Sequence, residues 1–269
     1  MKAYQDKVVW ITGASSGVGE GLAEAFAEAG AILVLSARRA LELERVRKKV
    51  EGNRVLVLPM DVTDPVDIDA AARTVRHHFG RIDVLVCNAG VGQHASIAET
   101  QLKTFRRILE VDLFAVIAHI KEVLPTMRAQ NAGHIVVTSS VAGKFGIPGL
   151  SGYCAAKHAV QGFCDSLRAE EAEHGISVST LILAGVSSQF SQASLTGDGQ
   201  TYGKSTPMDD GAITAIDAGR TIVTELAKGN PEIQLVADPR ARKVLRLQRF
   251  RPRSVFQRMA ELARLPGWK

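Results

Sequence analysis

The sequence predicts an α/β fold, a doubly wound parallel sheet of about seven strands with helices on both faces. Three observations carry that reading. Short Val/Ile/Leu-rich runs alternate with helical patterns along the chain, as expected for a parallel sheet covered on both sides. The first run, Val8-Val9-Trp10-Ile11, feeds a glycine-rich turn, Thr12 to Gly19, and then helical spacing at Leu22, Phe26 and Ala29. The chemically suggestive residues fall at the carboxyl ends of the runs, where such sheets bind ligands.

The elements follow in order. A strand near 8–12 leads to a helix near 17–29 that stops at Gly30. A second strand, Ile32 to Ser36, leads to a charged helix near 40–51. The third strand, Val55 to Leu58, ends at Pro59, and Asp64-Pro65 then supplies an N-cap and first turn for a helix that ends before Gly80. His77-His78 suits the cationic end of that helix better than a metal site. The fourth strand, Val84 to Cys87, runs into Asn88-Ala89-Gly90. A long helix near 101–130 follows, with Thr100 as its expected cap and Pro125 expected to bend or end it. The fifth strand, Ile135 to Thr138, delivers Ser139-Ser140; a helix near 152–173 and a sixth strand, Val178 to Leu183, come next. A long loop, a helix near 214–228 and a last strand, Glu232 to Val236, complete an expected order of 3-2-1-4-5-6-7.

The 269 residues suit one domain of the larger kind, with 46% apolar content ample for its core. No linker, repeat or low-complexity segment divides them. No apolar stretch is long enough to span a bilayer. The first seven residues show no signal region, and three cysteines without framework spacing suit a reducing compartment, so the expected location is cytoplasmic. Cys87 and Cys154 read as buried packing residues. Seven histidines show no metal-ligand spacing, and no metal is expected.

Glycines let a backbone approach a pyrophosphate, and the following helix N-terminus offers free N–H groups, so Gly13, Ser15, Ser16, Gly17, Val18 and Gly19 are candidate dinucleotide contacts in a Rossmann-type unit. Tyr153 and Lys157 lie four residues apart, on one helix face, and Ser140 lies thirteen before the tyrosine. A neighbouring ammonium favours the phenolate and is expected to bring the phenol below its free value of about 10, towards useful acid–base chemistry. A serine hydroxyl can hold the substrate oxygen.

In this order and spacing, Thr12 to Gly19, Asp61-Val62, Asn88-Ala89-Gly90, Ser139-Ser140 and Tyr153-Cys-Ala-Ala-Lys157 resemble the short-chain dehydrogenase/reductase family, across residues 6 to 190. The run Leu33 to Arg39 resembles carbonyl and retinoid- or steroid-type reductases of that family. The resemblance implies catalysis by Ser140, Tyr153 and Lys157, with Lys157 also on the nicotinamide ribose. It implies Asp61 and Val62 beside the adenine, although Asp61 also suits a helix N-terminal charge, and Asn88, Ala89 and Gly90 along the cofactor. Of the two serines, the spacing selects Ser140, with Ser139 orienting the loop.

Two departures stand out. Asp112 occupies a position where the family usually has an Asn in a proton relay; it is a relay candidate or a buried carboxylate near Lys157. The family's Pro-Gly after the sixth strand is Ala184-Gly185 here, so Gly185, Val186 and Ser188 are the candidate nicotinamide-amide contacts.

No acid ends the second strand to bind a ribose 2′-OH; the residues there are Ser36-Ala37-Arg38-Arg39. Arg pairs bidentately with a 2′-phosphate. This points to NADP(H), with Arg38 primary and Ser36 or Arg39 supporting; the alternative is that the arginines cap the strand or meet Glu42. Residues 1–237 thus read as a Rossmann-fold NADP-binding catalytic domain with a substrate loop at 185–213, and 238–269 as its basic C-terminal extension. Gln93, His94, 142–150 and the loop from Ser187 to Pro207 are expected around a largely apolar substrate.

The predicted function is hydride transfer between nicotinamide and the carbonyl or secondary alcohol of an apolar small molecule. The alternative is a non-catalytic NADP-binding or membrane-associated scaffold protein. From Asp238 to Lys269 ten Lys/Arg face two acids, a local charge of +8, so the net +5 belongs to the tail and the remainder is near −3. Aromatic stacking platforms are absent, which argues against nucleic acid. Val244, Leu245, Leu247 and Phe250, then Val255, Phe256, Met259, Leu262 and Leu265, lie among Arg242, Lys243, Arg246 and Arg249. Their apolar face is expected to dock on the pocket rim or a neighbouring subunit, with weak contact to a membrane surface as the alternative. The resemblance also implies a homodimer or homotetramer.

Overall fold

The computed structural model describes residues 3–206 and 212–264. Pro207 of the expected substrate loop and Leu265 of the tail fall outside them, as does the side chain of Arg249. The order of elements is β1 (Val8–Thr12), α1 (Gly17–Glu28), β2 (Ile32–Ala37), α2 (Ala40–Lys49), β3 (Val55–Pro59), α3 (Pro65–Phe79), β4 (Val84–Cys87), α4 (Leu102–Leu109), a π turn (Glu110–Phe114), α5 (Ala115–Gln130), β5 (Gly133–Ser140), α6 (Ser151–Glu170), β6 (Ile176–Ala184), α7 (Phe190–Ala193), α8 (Ala215–Ala227), β7 (Glu232–Val236), α9 (Pro239–Phe250) and α10 (Pro252–Leu262). The sheet has the expected order, β3-β2-β1-β4-β5-β6-β7, and every pairing is parallel.

Alternation along the strands splits the core in two. Val9, Ile11, Leu33 and Leu35 join α1 and α8 on one face. Val8, Trp10, Ile32 and Val34 join α3, α5 and α6 on the other. Helix ends follow local chemistry: Asp64 Oδ1 accepts from Val66 N at 2.8 Å, Pro65 opens α3, and Gly80 closes it in a left-handed conformation.

Two expectations are corrected in the long helix. Gln101, not Thr100, is the N-cap of α4; the Thr100 hydroxyl donates to the Ser96 carbonyl at 2.6 Å and accepts from Gln93 Nε2 at 2.9 Å. Pro125 does not end α5, which runs to Gln130 and closes on Asn131 with φ 48°. The proline is exposed, so water reaches the carbonyl it leaves unpaired. Between α4 and α5 the ladder widens: Ala115 N donates to Glu110 O, five residues back. Such a π turn places one extra residue in the helix.

A third apolar cluster covers the carboxyl edge of the sheet. Val244 and Val255 from α9 and α10 are buried in it with Phe145, Ile147, Leu150, Tyr153 and Val236, and Leu245, Leu247 and Met259 pack against it. Part of the tail's apolar face thus lies on the rest of the chain, but Phe250 and Phe256, expected on the same face, are exposed. Its Arg and Lys side chains at 240, 242, 243, 246 and 258 stay exposed.

Candidate active site

The turn after β1 forms the floor. Gly13 and Gly17 hold φ of 65° and 56°, where glycine is favoured, and a side chain on Gly19 would run into the Gly13 carbonyl. The N-cap of α1, Ser16, makes no side-chain capping bond, so the first N–H groups of the helix face the crevice without that partner. Such a terminus favours an anion. Ser188 packs against this turn: a Cβ on Gly17 would lie 2.8 Å from its Cβ. Gly185, φ 73°, starts the loop, and Val186 bridges to Ile213.

Asn88 ties three strand ends together. Its Nδ2 donates to Thr12 O at 3.2 Å and Gly13 O at 3.3 Å, and its Oδ1 accepts from Thr138 Oγ1 at 3.2 Å. The Thr12 hydroxyl accepts from Asn88 N at 3.0 Å and Ala89 N at 3.2 Å. The Asn88 side chain is therefore a brace, and the surface that Asn88, Ala89 and Gly90 offer a ligand is mainly backbone. Thr12, which opens the glycine-rich turn, acts here through its hydroxyl, and Thr138 acts without any motif signal.

At the end of β2, Arg39 donates to Ser15 and Ser16, and Arg38 is exposed. Arg38 helps hold the Asp61 carboxyl low, after the larger effect of the Thr63 amide. Asp61 Oδ1 accepts from Thr63 N at 2.9 Å and Thr63 Oγ1 at 2.8 Å, so it shapes the turn into α3. Val62, nearly buried, lines a small gap with Thr12, Cys87 and Ala89. Ser36 departs from the sequence reading. Its hydroxyl is fully buried and accepts from Trp10 Nε1 at 2.9 Å, so it serves the core rather than an exposed phosphate.

The catalytic candidates meet at the ends of β5 and β4. Ser140 Oγ accepts from Ala142 N at 3.1 Å and lies close enough to Tyr153 to act on its phenol. Ser139 is turned away, accepting from Gln161 Nε2 at 3.1 Å. Lys157 Nζ lies 5.6 Å from the Tyr153 ring centroid and donates to Thr138 O at 3.0 Å. The π turn aims Asp112 inward, where it is wholly buried. Its Oδ1 lies 2.9 Å from Lys157 Nζ, and its Oδ2 accepts from Val91 N at 3.0 Å. An ammonium has three donors; Thr138 O takes one, and the ion pair with Asp112 leaves at least one N–H of Lys157 for a ligand.

Burial works against the Lys157 charge, but Asp112 and Tyr153 outweigh it and hold the ammonium above its ordinary range. Burial likewise lifts the Asp112 carboxyl, with Lys157 opposing. Tyr153 corrects an expectation. Burial raises the phenol; Lys157 and the Ser140 hydroxyl pull it down and Asp112 pushes it up, for a net rise above 10.0. The lysine acts in the expected direction, but its charge is shared with a carboxylate.

Around Tyr153 the walls are apolar. The Phe190 ring lies 5.5 Å from the Tyr153 ring, with Phe145, Ile147 and Leu150 in the adjoining cluster. Three residues expected at the pocket are otherwise engaged. Gln93, fully buried, accepts from Gly152 N at 2.6 Å and so anchors the start of α6. His94 stacks on Tyr202 at 4.4 Å, and Lys144 pairs with Glu232 at 2.6 Å. Cys154 is buried, its Sγ accepting from Ile147 N, and burial raises its thiol, so it is not poised to react.

The family model described as short chain dehydrogenase matches residues 7–198. A protein of Anopheles gambiae named dehydrogenase/reductase SDR family protein 7-like is 41% identical over 248 residues, covering 89% of this chain and 78% of that protein. Among solved structures, a short chain dehydrogenase/reductase of Burkholderia phymatum in complex with NAD matches with TM-score 0.81 and 26% identity, covering 99% of this chain and 98% of that one. An alcohol dehydrogenase of Thermococcus sibiricus complexed with 5-hydroxy-NADP matches with TM-score 0.74 and 26% identity, covering 86% and 96%. The order of motifs, the seven-stranded sheet and a relative this similar over most of both lengths agree: the chain belongs to the short-chain dehydrogenase/reductase family of oxidoreductases.

Proposed function

We propose that the protein is an NADP(H)-dependent oxidoreductase that interconverts a carbonyl and a secondary alcohol on an apolar small molecule. The observation that carries this reading is the Ser140–Tyr153–Lys157 group, set beside Phe190 at the carboxyl edge of the sheet. The Gly13–Gly19 turn and the open N-terminus of α1 suit a dinucleotide pyrophosphate. A bound nicotinamide dinucleotide supplies or accepts the hydride. Tyr153 donates a proton to the carbonyl oxygen, or removes one from the alcohol. Ser140 holds that oxygen, and a remaining N–H of Lys157 suits a ribose hydroxyl.

The solved relatives bind NAD in one case and an NADP derivative in the other, so the choice rests on this chain's own residues. Arg38 and Arg39 with no acid at the end of β2 favour a 2′-phosphate. The exposed Leu102 and Phe114 on the α4–α5 segment support a homodimer or homotetramer. The test is NADPH oxidation against a broad panel of apolar ketones and aldehydes. Turnover is expected for bulky apolar carbonyls; none across the panel, in either direction and with either nucleotide, would refute the reading.

A further inference from the structure

Within the proposed reaction, the Asp112–Lys157 pair has a consequence of its own. A lysine beside a phenol ordinarily acts as an unshared positive charge that draws the proton off. Here the ammonium is 2.9 Å from a carboxylate that is fully buried, and Lys157 itself is 3% exposed. Salt and water cannot screen such a pair as they screen a surface one. Among the described residues, the groups around it add no compensating cation. From α6 come Tyr153 and Cys154; from β4 comes Cys87, whose thiol burial pushes up and keeps neutral. From α5 comes His119, whose charged form burial disfavours. From the end of β5 come the neutral hydroxyls of Ser139 and Ser140, and from the loop after β4 only the Val91 amide.

We propose that Asp112 is a positioning residue that cancels the Lys157 charge beside Tyr153 and so poises the site to give up a proton, making it first a carbonyl-reducing centre. The proposal rests on the oxidoreductase reading, but its effect on Tyr153 exists without turnover. The phenol keeps its proton across the neutral range, ready for transfer to a carbonyl oxygen. Alcohol oxidation, which needs the phenolate, is displaced to alkaline pH. The Val91 amide held by Oδ2 fixes the carboxylate so that Oδ1 faces the lysine rather than rotating away.

The test reads the phenol directly. Ultraviolet difference titration of the substrate-free protein, with Tyr153→Phe as the blank, isolates the ionisation of Tyr153 from those of Tyr4 and Tyr202. In the wild type, Tyr153 is expected to titrate above 10; a value below that overturns the proposal without any other variant. In Asp112→Asn the titration is expected to move down by about 1–3 units, and the rising limb of alcohol oxidation to move down with it. Asp112→Glu, which keeps the charge, is expected to stay near the wild type. An unchanged or higher value in a folded Asp112→Asn overturns the proposal. A downward shift with no turnover on any substrate would sustain the pairing and sink the reaction instead.

Discussion

Arg39 Nη2 donates to Ser16 Oγ at 2.9 Å and Ser15 Oγ at 3.1 Å, so the end of β2 is tied to the turn after β1 before any nucleotide is present. Arg38, exposed beside it, has no such task. The two arginines should therefore fail differently. Arg38→Ala is expected to raise the KM for NADPH about 10- to 100-fold, the worth of a charged hydrogen bond, and to leave NADH use nearly unchanged. Arg39→Ala should weaken both nucleotides, because it also loosens the turn. Steady-state kinetics with the two cofactors and one carbonyl substrate check this, and a wild-type preference for NADH would remove its basis.

Tyr153→Phe keeps the ring against Phe190 and removes the transferable proton. Its kcat should fall about 10²- to 10⁴-fold, with nucleotide affinity, followed by cofactor fluorescence, within a few-fold of the wild type. Lys157→Ala should lose both rate and affinity. It also strands the buried Asp112 carboxylate, at a cost of about 3–5 kcal/mol if that group stays charged. Urea melts of the two variants should therefore diverge, with only Lys157→Ala shifted well down.

Gly90 passes close to the charged pair. A Cβ there would lie 2.7 Å from Asp112 Oδ1 and 3.6 Å from Lys157 Nζ. Gly90→Ala is expected to lower kcat more than it raises the KM for NADPH, by pushing the carboxylate off the lysine. A variant with normal kcat would show that the pair tolerates displacement.

Acid should loosen the α1–α2 corner first. Glu20 meets Arg45 at 2.7 Å and Lys49 at 2.6 Å, and the Arg45 hydrogen bond leads in holding its carboxyl down at about 2, from 4.5. A depressed folded-state pKa means that the contribution is present above the unfolded value and lost as pH falls. The wild type should thus lose stability progressively from about 4.5 towards 2, and Glu20→Gln should lose less over that window. Thermal melts across the range, compared between the two proteins, measure the difference.

Removing the chain after Pro239 takes Val244 and Val255 out of the cluster that holds Tyr153 and Ile147. The truncated protein should melt lower and show an altered KM for apolar substrates in membrane-free buffer. If neither changes but binding to anionic vesicles disappears, the tail's main task lies at a lipid surface.

Much of this architecture was legible in the chain. Parallel strands buried on both faces leave continuous apolar runs, so β1 and β4 could be placed closely, and Asp64-Pro65 and Gly80 marked α3 by local chemistry alone. The residues that went astray depend on partners distant in sequence. Ser36 turns inward because Trp10 is its neighbour across β1 and β2, and Gln93 is consumed by the Gly152 amide. The ionisation of Tyr153 needs the depth of burial and the Asp112 contact, neither of which the spacing of Tyr and Lys contains. Thr138 reaches the site through one carbonyl and one hydroxyl, and no residue pattern announces that.

The widened turn at Glu110–Phe114 makes the site sensitive to counting. Deleting any one of those five residues would restore ordinary helical winding and so remove the bulge that carries Asp112 toward the site. Asp112, or whatever residue then took its place, would no longer be aimed at Lys157. A lost codon in this short stretch is therefore a heavier lesion than most substitutions within it, and tolerance to length change here should be far lower than to change of side chain. In a library of single-residue deletions along the α4–α5 segment, these five positions should stand out as a gap in the active clones.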